Sequence, residues 1–65
     1  MITEADIGHQ VEDATGRVGI LRDLIPDYVD PADPPSKRRK RPVAFLWPVG
    51  GGEEWLVPPD TVKRA

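Results

Sequence analysis

The sequence predicts an all-β protein: a small barrel or strongly bent sheet of four to five short antiparallel strands, with one long proline-rich loop. Apolar residues alternate with a period of two over residues 43–49, which is the repeat of a strand with one buried face. Glycine and proline turns separate short apolar runs along the rest of the chain. Sixty-five residues suffice for one small domain, and closing so small a sheet removes its unpaired edges.

The N-terminal part is expected to contain a strand and a tight turn. Residues 1–6 are interpreted as a disordered N-terminus, and residues 7–65 as the single barrel domain. Weak alternation predicts a short strand over residues 7–13. Residues 14–16 end in Gly16, which can adopt the left-handed conformation that closes a hairpin loop.

The next segment, residues 17–25, has two possible interpretations. As a strand it places Val18, Ile20 and Leu24 on one face and Gly19, Leu21 and Ile25 on the other. A helix is the alternative for residues 18–25. Glycines at its start, β-branched residues inside it and Pro26 after it favour the strand.

Residues 26–42 are predicted to form a flexible loop in extended conformations. Five of the eight prolines fall in this segment, and proline cannot donate to a sheet ladder. Three aspartates, Asp27, Asp30 and Asp33, are mixed with these prolines. The loop then presents five consecutive basic residues, here called the basic run: Lys37, Arg38, Arg39, Lys40 and Arg41. A loop of this length in a compact domain is usually functional or disordered.

Residues 43–57 are expected to form a β-hairpin around which the core is organised. Gly50-Gly51-Gly52 supplies the positive φ angles of the reversal. Both tryptophans and the only phenylalanine lie in this hairpin, so most of the aromatic area that can be buried is here. Residues 58–62 then predict a single tight turn, with Val62 as the last core residue.

Two parts of the chain resemble SH3-like and KOW-type small barrels. Gly8 and Val11, followed by Gly16-Arg17-Val18-Gly19-Ile20-Leu21, are similar to the KOW hairpin. The segment Trp55-Leu56-Val57-Pro58-Pro59-Asp60-Thr61-Val62 resembles the strand, 3₁₀ turn and final strand that close an SH3 barrel. The acidic, tyrosine-rich start of true SH3 domains, which builds their proline-peptide groove, is missing. The resemblance implies an SH3-like barrel.

A second resemblance is to small uncharacterised proteins of Streptomyces and related actinobacteria. It is carried by Val11-Glu12-Asp13-Ala14-Thr15-Gly16-Arg17-Val18-Gly19, by Leu46-Trp47-Pro48-Val49-Gly50-Gly51-Gly52-Glu53-Glu54-Trp55 and by Pro59-Asp60-Thr61-Val62-Lys63. It covers nearly the whole chain except the loop of residues 26–41. It implies a cytoplasmic bacterial protein of all-β build, and no particular activity.

The composition argues against catalysis and against metal or cofactor binding. The chain has one histidine, one serine and no cysteine, which do not supply a nucleophile, a base and an orienting acid. A structural zinc site needs about four ligands. We therefore expect no enzyme activity, no metal and no cofactor. The longest apolar run is far shorter than a membrane span, and the acidic N-terminus lacks the pattern of a signal peptide. These features favour a cytoplasmic protein without membrane contact.

Two binding functions remain, and the sequence does not decide between them. The first is a protein-interaction or adaptor role, in which a partner covers exposed aromatics or adds a strand to an edge. The alternative is RNA or DNA contact through the basic run, with Tyr28 or Trp47 stacking on a base. The three upstream aspartates are candidates to neutralise the basic run instead. A monomer or weak dimer is expected.

Overall fold

The computed structural model describes residues 2–65 and confirms the all-β fold class. Five antiparallel strands form one sheet: β1 (Gln10–Glu12), β2 (Val18–Tyr28), β3 (Arg41–Pro48), β4 (Trp55–Val57) and β5 (Lys63–Arg64). The strands lie in the order β4-β3-β2-β1-β5, so β2 and β3 are central. In residues 2–65 the only helices are three 3₁₀ turns, at Glu4–Asp6, Pro35–Lys37 and Pro59–Thr61, and none is long and apolar enough to cross a membrane.

The C-terminal part has the predicted succession of strand, 3₁₀ turn and final strand. β4 is followed by the Pro59–Thr61 turn, which leads into β5 at the opposite edge of the sheet. Two prolines at the start of this turn preset the backbone that a 3₁₀ turn needs. Val62, between the turn and β5, is buried as expected. The connection thus carries the chain from one edge of the sheet to the other.

The core lies on one face of the sheet, and it is small. Its fully packed residues come from β1, β2, β3 and both ends of the chain: Ile2, Val11, Leu21, Ala44, Leu46 and Val62. Leu24, Trp55 and Val57 pack against them and are partly buried. We call this side of the sheet the core face and the opposite side the outer face.

The N-terminal residues differ from the sequence-based expectation. Ile2 is 4% exposed and belongs to the core, and Glu4–Asp6 forms a 3₁₀ turn where a disordered segment was expected; Met1 lies outside the described residues. Asp6 joins this turn to β5, since its carboxylate lies 2.8 Å from Nε of Arg64. The first strand is also shorter than the expected residues 7–13, because residues 7 and 8 form a turn.

β2 is a strand, as favoured over a helix, but a bulge changes which of its residues face the core. The pairing with β3 shifts between Leu21 and Asp23, which places one extra residue in β2. Leu24 therefore packs on the core together with Leu21, whereas simple alternation put these two leucines on opposite faces.

The loop expected over residues 26–42 is shorter in the structure. β2 continues through Pro26 to Tyr28, and β3 begins at Arg41. A second register shift lies between Ile25 and Tyr28, and an irregularity of this kind is where a strand accommodates proline. The connecting loop is therefore residues 29–40, and its flexibility stays a prediction.

Candidate binding surfaces

The basic run lies at the end of the sheet that only β2 and β3 reach. Ile25 pairs with Val43 and Tyr28 pairs with Arg41, and neither pair has a further strand partner. The basic run follows the loop back into β3: Lys37 ends the second 3₁₀ turn and Arg41 begins the strand. All five basic residues are exposed.

The upstream aspartates form no ion pair with the basic run. In residues 2–65 the ion pairs join Arg22 to Glu54, Lys63 to Glu12 and Arg64 to Asp6. Asp30 instead accepts a hydrogen bond from the backbone N–H of Ala32 at 2.9 Å, which stabilises a turn in the loop. The charge of the basic run is thus not cancelled by a carboxylate within 4.0 Å.

One member of the basic run supports the loop. Nε of Arg38 donates to the carbonyl oxygen of Asp33 at 3.2 Å, and Nη2 approaches the carbonyl oxygen of Pro31 at 3.5 Å. These bonds fix the side chain against the backbone ahead of it. Within residues 2–65, no such contact is made by the other four residues of the basic run, Lys37, Arg39, Lys40 and Arg41, and all four are exposed.

Of the two aromatic residues expected beside the basic run, the structure places only Tyr28 there. Tyr28 lies directly across the ladder from Arg41, so the two side chains share the outer face. Trp47 is six residues further along β3, about 20 Å from Arg41 at the rise of a strand. Stacking of one base on Trp47 while Lys37–Arg41 hold its own phosphate is therefore excluded by distance.

Trp47 belongs instead to an apolar surface on the other end of the outer face. Trp47 is 45% exposed, and it pairs across the ladder with Ile20. Val18 is 40% exposed and Leu56, which pairs with Phe45 on the same face, is 42% exposed. We call Val18, Ile20, Phe45, Trp47 and Leu56 the outer apolar surface. The exposure of Val18 and Leu56 was not predictable from the sequence, because alternation shows two faces of a strand without showing which one the core occupies.

An arginine holds Trp47 in place on this surface. The guanidinium carbon of Arg22 lies 4.6 Å from the centroid of the Trp47 ring, within the range of a cation–π contact. Nη1 of the same arginine donates to Glu54 at 3.0 Å. Glu54 thus anchors Arg22, and Arg22 covers part of the indole, so that the ring is presented in a defined orientation.

The second tryptophan is built into the fold. Nε1 of Trp55 donates to Oδ2 of Asp13 at 3.1 Å, and the guanidinium carbon of Arg17 lies 3.7 Å from the ring centroid. The ring also rests on Gly19, where no side chain intervenes. We call Asp13, Arg17, Gly19 and Trp55 the Trp55 cluster. All four residues of this cluster have structural contacts.

Asp13 organises the turn beneath this cluster. Its Oδ1 accepts hydrogen bonds from the hydroxyl of Thr15 at 2.7 Å and from the backbone N–H groups of Thr15 and Arg17. The Thr15 hydroxyl is the largest of the effects that lower the pKa of Asp13 below its ordinary value of 3.8, and the Arg17 and Thr15 N–H groups and the Trp55 indole act in the same direction. Partial burial of this carboxyl, which is 9% exposed, opposes them. The Asp-x-Thr-Gly spacing is the sequence signal of this turn.

Comparison of the chain with protein-family models, with curated proteins and with solved structures finds no match. The actinobacterial resemblance therefore stays a prediction, and functional conclusions depend on the surfaces described above. Within residues 2–65, no three His, Cys, Asp or Glu side chains lie close enough together to hold a metal ion.

Proposed function

We propose that this chain is a small non-catalytic binding module that acts through protein–protein interaction, with the outer apolar surface as its contact. The observation that supports this is the exposure of Trp47, together with Val18 and Leu56, on one face of a 65-residue sheet. A domain with so small a core gains stability by burying apolar area. Apolar side chains exposed together on one face mark an interaction site more often than apolar side chains scattered singly do.

The chemistry of this surface is that of an interaction hot spot. Tryptophan and arginine are the residues that most often dominate binding free energy at protein interfaces. Here Arg22 and Trp47 lie against each other, and Glu54 fixes Arg22. A side chain held in place before binding loses less entropy when a partner docks. The cysteine-free composition is compatible with the reducing cytoplasm, where we propose that the module acts.

The test is quantitative capture of partners by three forms of the tagged chain. We expect one or more proteins from the cells that express it to bind wild type and to be lost with Trp47→Ser. Ile7→Ser is the matched control, because Ile7 is 41% exposed and lies outside the outer apolar surface. The captured partner is then purified and its Kd measured for each form. Equal capture by all three forms would remove the outer apolar surface from the function.

A second function, contact with RNA or DNA through Lys37–Arg41, is supported by a separate observation. No carboxylate in residues 2–65 lies within 4.0 Å of the charged groups of this run. Contact with several phosphates releases counterions, so binding of this kind weakens as salt rises. In an amide NMR titration with short DNA and RNA, we expect salt-sensitive shifts at residues 37–41. A spectrum unchanged at low salt would eliminate this function.

A further inference from the structure

A groove of about 590 Å³ opens at the edge of the sheet beside the last residue of the basic run. It lies between the start of β3 and the C-terminal end of β4, where β3 extends past its neighbour. Tyr28, Asp30 and Arg41 line it, and apolar residues complete it, including Pro42, Leu56 and Pro58.

Tyr28 is held in position at the groove. Its ring makes an edge-to-face contact with Phe45, with the ring centroids 5.7 Å apart and the planes at 79°. Such pairs contribute beyond the area that they bury, so the orientation of the Tyr28 ring is set by the sheet. Because Arg41 lies directly across the ladder from Tyr28, an aromatic ring and a positive charge stand side by side at this site.

The groove is lined by one negatively charged residue, Asp30, and one positively charged residue, Arg41. The basic run reaches the groove at Arg41, and within residues 2–65 four of its side chains make no hydrogen bond or ion pair. Asp30 lines the groove as well. A carboxylate repels phosphate and accepts hydrogen bonds from N–H groups, whereas lysine and arginine attract phosphate. A ligand with phosphates on the basic run and a flat ring with N–H donors in the groove would match both the positive charges and the Asp30 carboxylate.

We propose that the groove and the basic run together bind single-stranded nucleic acid, with the phosphates on Lys37, Arg39, Lys40 and Arg41 and one unpaired base in the groove against Tyr28. This inference rests on the second function proposed above and names its ligand class. A duplex keeps its bases stacked and paired, so it can reach the basic run without filling the groove. A single strand can turn a base out onto an aromatic side chain without breaking a base pair.

The experiment compares labelled twelve-nucleotide single strands of DNA and RNA with duplexes of the same sequence, by fluorescence anisotropy on the full chain. We expect the single strand to bind more tightly than the duplex. Four phosphate contacts give a slope of about −3 for log K against log salt concentration with a single strand. A strand with the same backbone and abasic sites should bind no better than the duplex, because it has no base for the groove.

Two variants of Tyr28 separate stacking from phosphate contact. Tyr28→Leu should weaken single-strand binding about 5- to 150-fold, which is the usual effect of removing one stacked aromatic ring, and should leave duplex binding unchanged. Tyr28→Phe keeps the ring and should bind like wild type. An amide NMR spectrum of each variant establishes that the sheet is intact before its binding is compared.

The possible outcomes distinguish this inference from the function on which it rests. Equal binding of single strand, duplex and abasic strand, unaffected by Tyr28→Leu, would overturn the role of the groove and retain phosphate contact by the basic run. Absence of binding to every nucleic acid at low salt would overturn both. Equally tight binding of a twelve-residue polyglutamate peptide would also overturn the inference, since any polyanion would then satisfy the site.

Discussion

Replacing Gly19 with alanine tests the close contact between β2 and the Trp55 ring. A Cβ at position 19 would lie 2.6 Å from Cη2 of Trp55 and 2.8 Å from the backbone carbonyl oxygen of Trp47. Both distances are shorter than van der Waals contact. The carbonyl belongs to β3, whose residue Pro48 pairs with Gly19, so it cannot rotate away as a side chain would. The added methyl group must therefore displace the indole and also shift the backbone of β3 relative to β2.

The size of the effect follows from two opposing terms. Inserting a methyl group into a packed contact costs about 1–3 kcal/mol. Alanine also lowers the conformational entropy of the unfolded chain, which stabilises the fold by about 0.4–1 kcal/mol where the native backbone suits alanine. This gain applies here because Gly19 is not among the glycines with positive φ. We expect Gly19→Ala to lower the free energy of unfolding by about 1–2 kcal/mol in total, which for a domain of this size lowers the Tm by about 4–16 °C.

The assay is urea denaturation followed by far-UV circular dichroism, in wild-type and Trp55→Phe backgrounds. The shorter phenylalanine ring removes the atoms nearest to position 19, so Gly19→Ala should cost less in that background. Gly50→Ala is the matched control: its Cβ meets nothing within 4 Å, and its φ of +89° makes any cost independent of Trp55. An equal cost of Gly19→Ala in both backgrounds would refute the contact as its cause.

Three further predictions test the faces of the sheet and the turn below Trp55. Leu46→Ala should lower the free energy of unfolding by about 2–5 kcal/mol because Leu46 is fully buried. Leu56→Ala should lower it by less than about 1 kcal/mol because Leu56 is on the outer face. Similar losses for the two variants in urea denaturation would contradict the register of β3 and β4. Because the pKa of Asp13 is lowered on folding, its carboxylate contributes stability that is complete above pH 3.8 and is lost as pH falls through the folded-state pKa. Asp13→Asn should abolish this contribution to the acid dependence of the Tm. An unchanged acid dependence would rule out Asp13 as its source. Acrylamide should quench the fluorescence of Trp55→Phe, which retains exposed Trp47, more strongly than that of Trp47→Phe, and the reverse order would contradict the exposures.

The strand content was predictable because alternation, glycine turns and proline stops all pointed to a sheet. The hairpin around Gly50-Gly51-Gly52 and the end at Val62 followed from local rules that the structure obeys. Bulges were not predictable in this way. The extra residue between Leu21 and Asp23 exchanges the faces of the residues that follow it as far as Ile25, where a second register shift begins. It depends on how β2 pairs with β3, which is a property of two distant segments.

The surfaces were predictable in part. The five consecutive basic residues are evident from the sequence alone, and their exposure follows from their charge. The distance between Trp47 and Arg41 was not visible, because residues near in sequence lie far apart on an extended strand. The contact of Gly19 with Trp55 was also not predictable, because it joins residues of β2 and β4 across β3. The burial of Ile2 was not predicted either, because one apolar side chain in an acidic terminus does not show that the terminus packs on the core.

The loop of residues 29–40 joins two strand ends, at Tyr28 and Arg41, that are already paired. Lengthening such a loop costs little, about 0.6 kcal/mol for each doubling of its length, and no buried side chain lies within it. Insertions and substitutions can therefore accumulate there without disturbing Val11, Leu21 or Leu46. The architecture separates what must stay constant for folding from what is free to diversify, so that one inherited scaffold can acquire new recognition properties by changing a single segment.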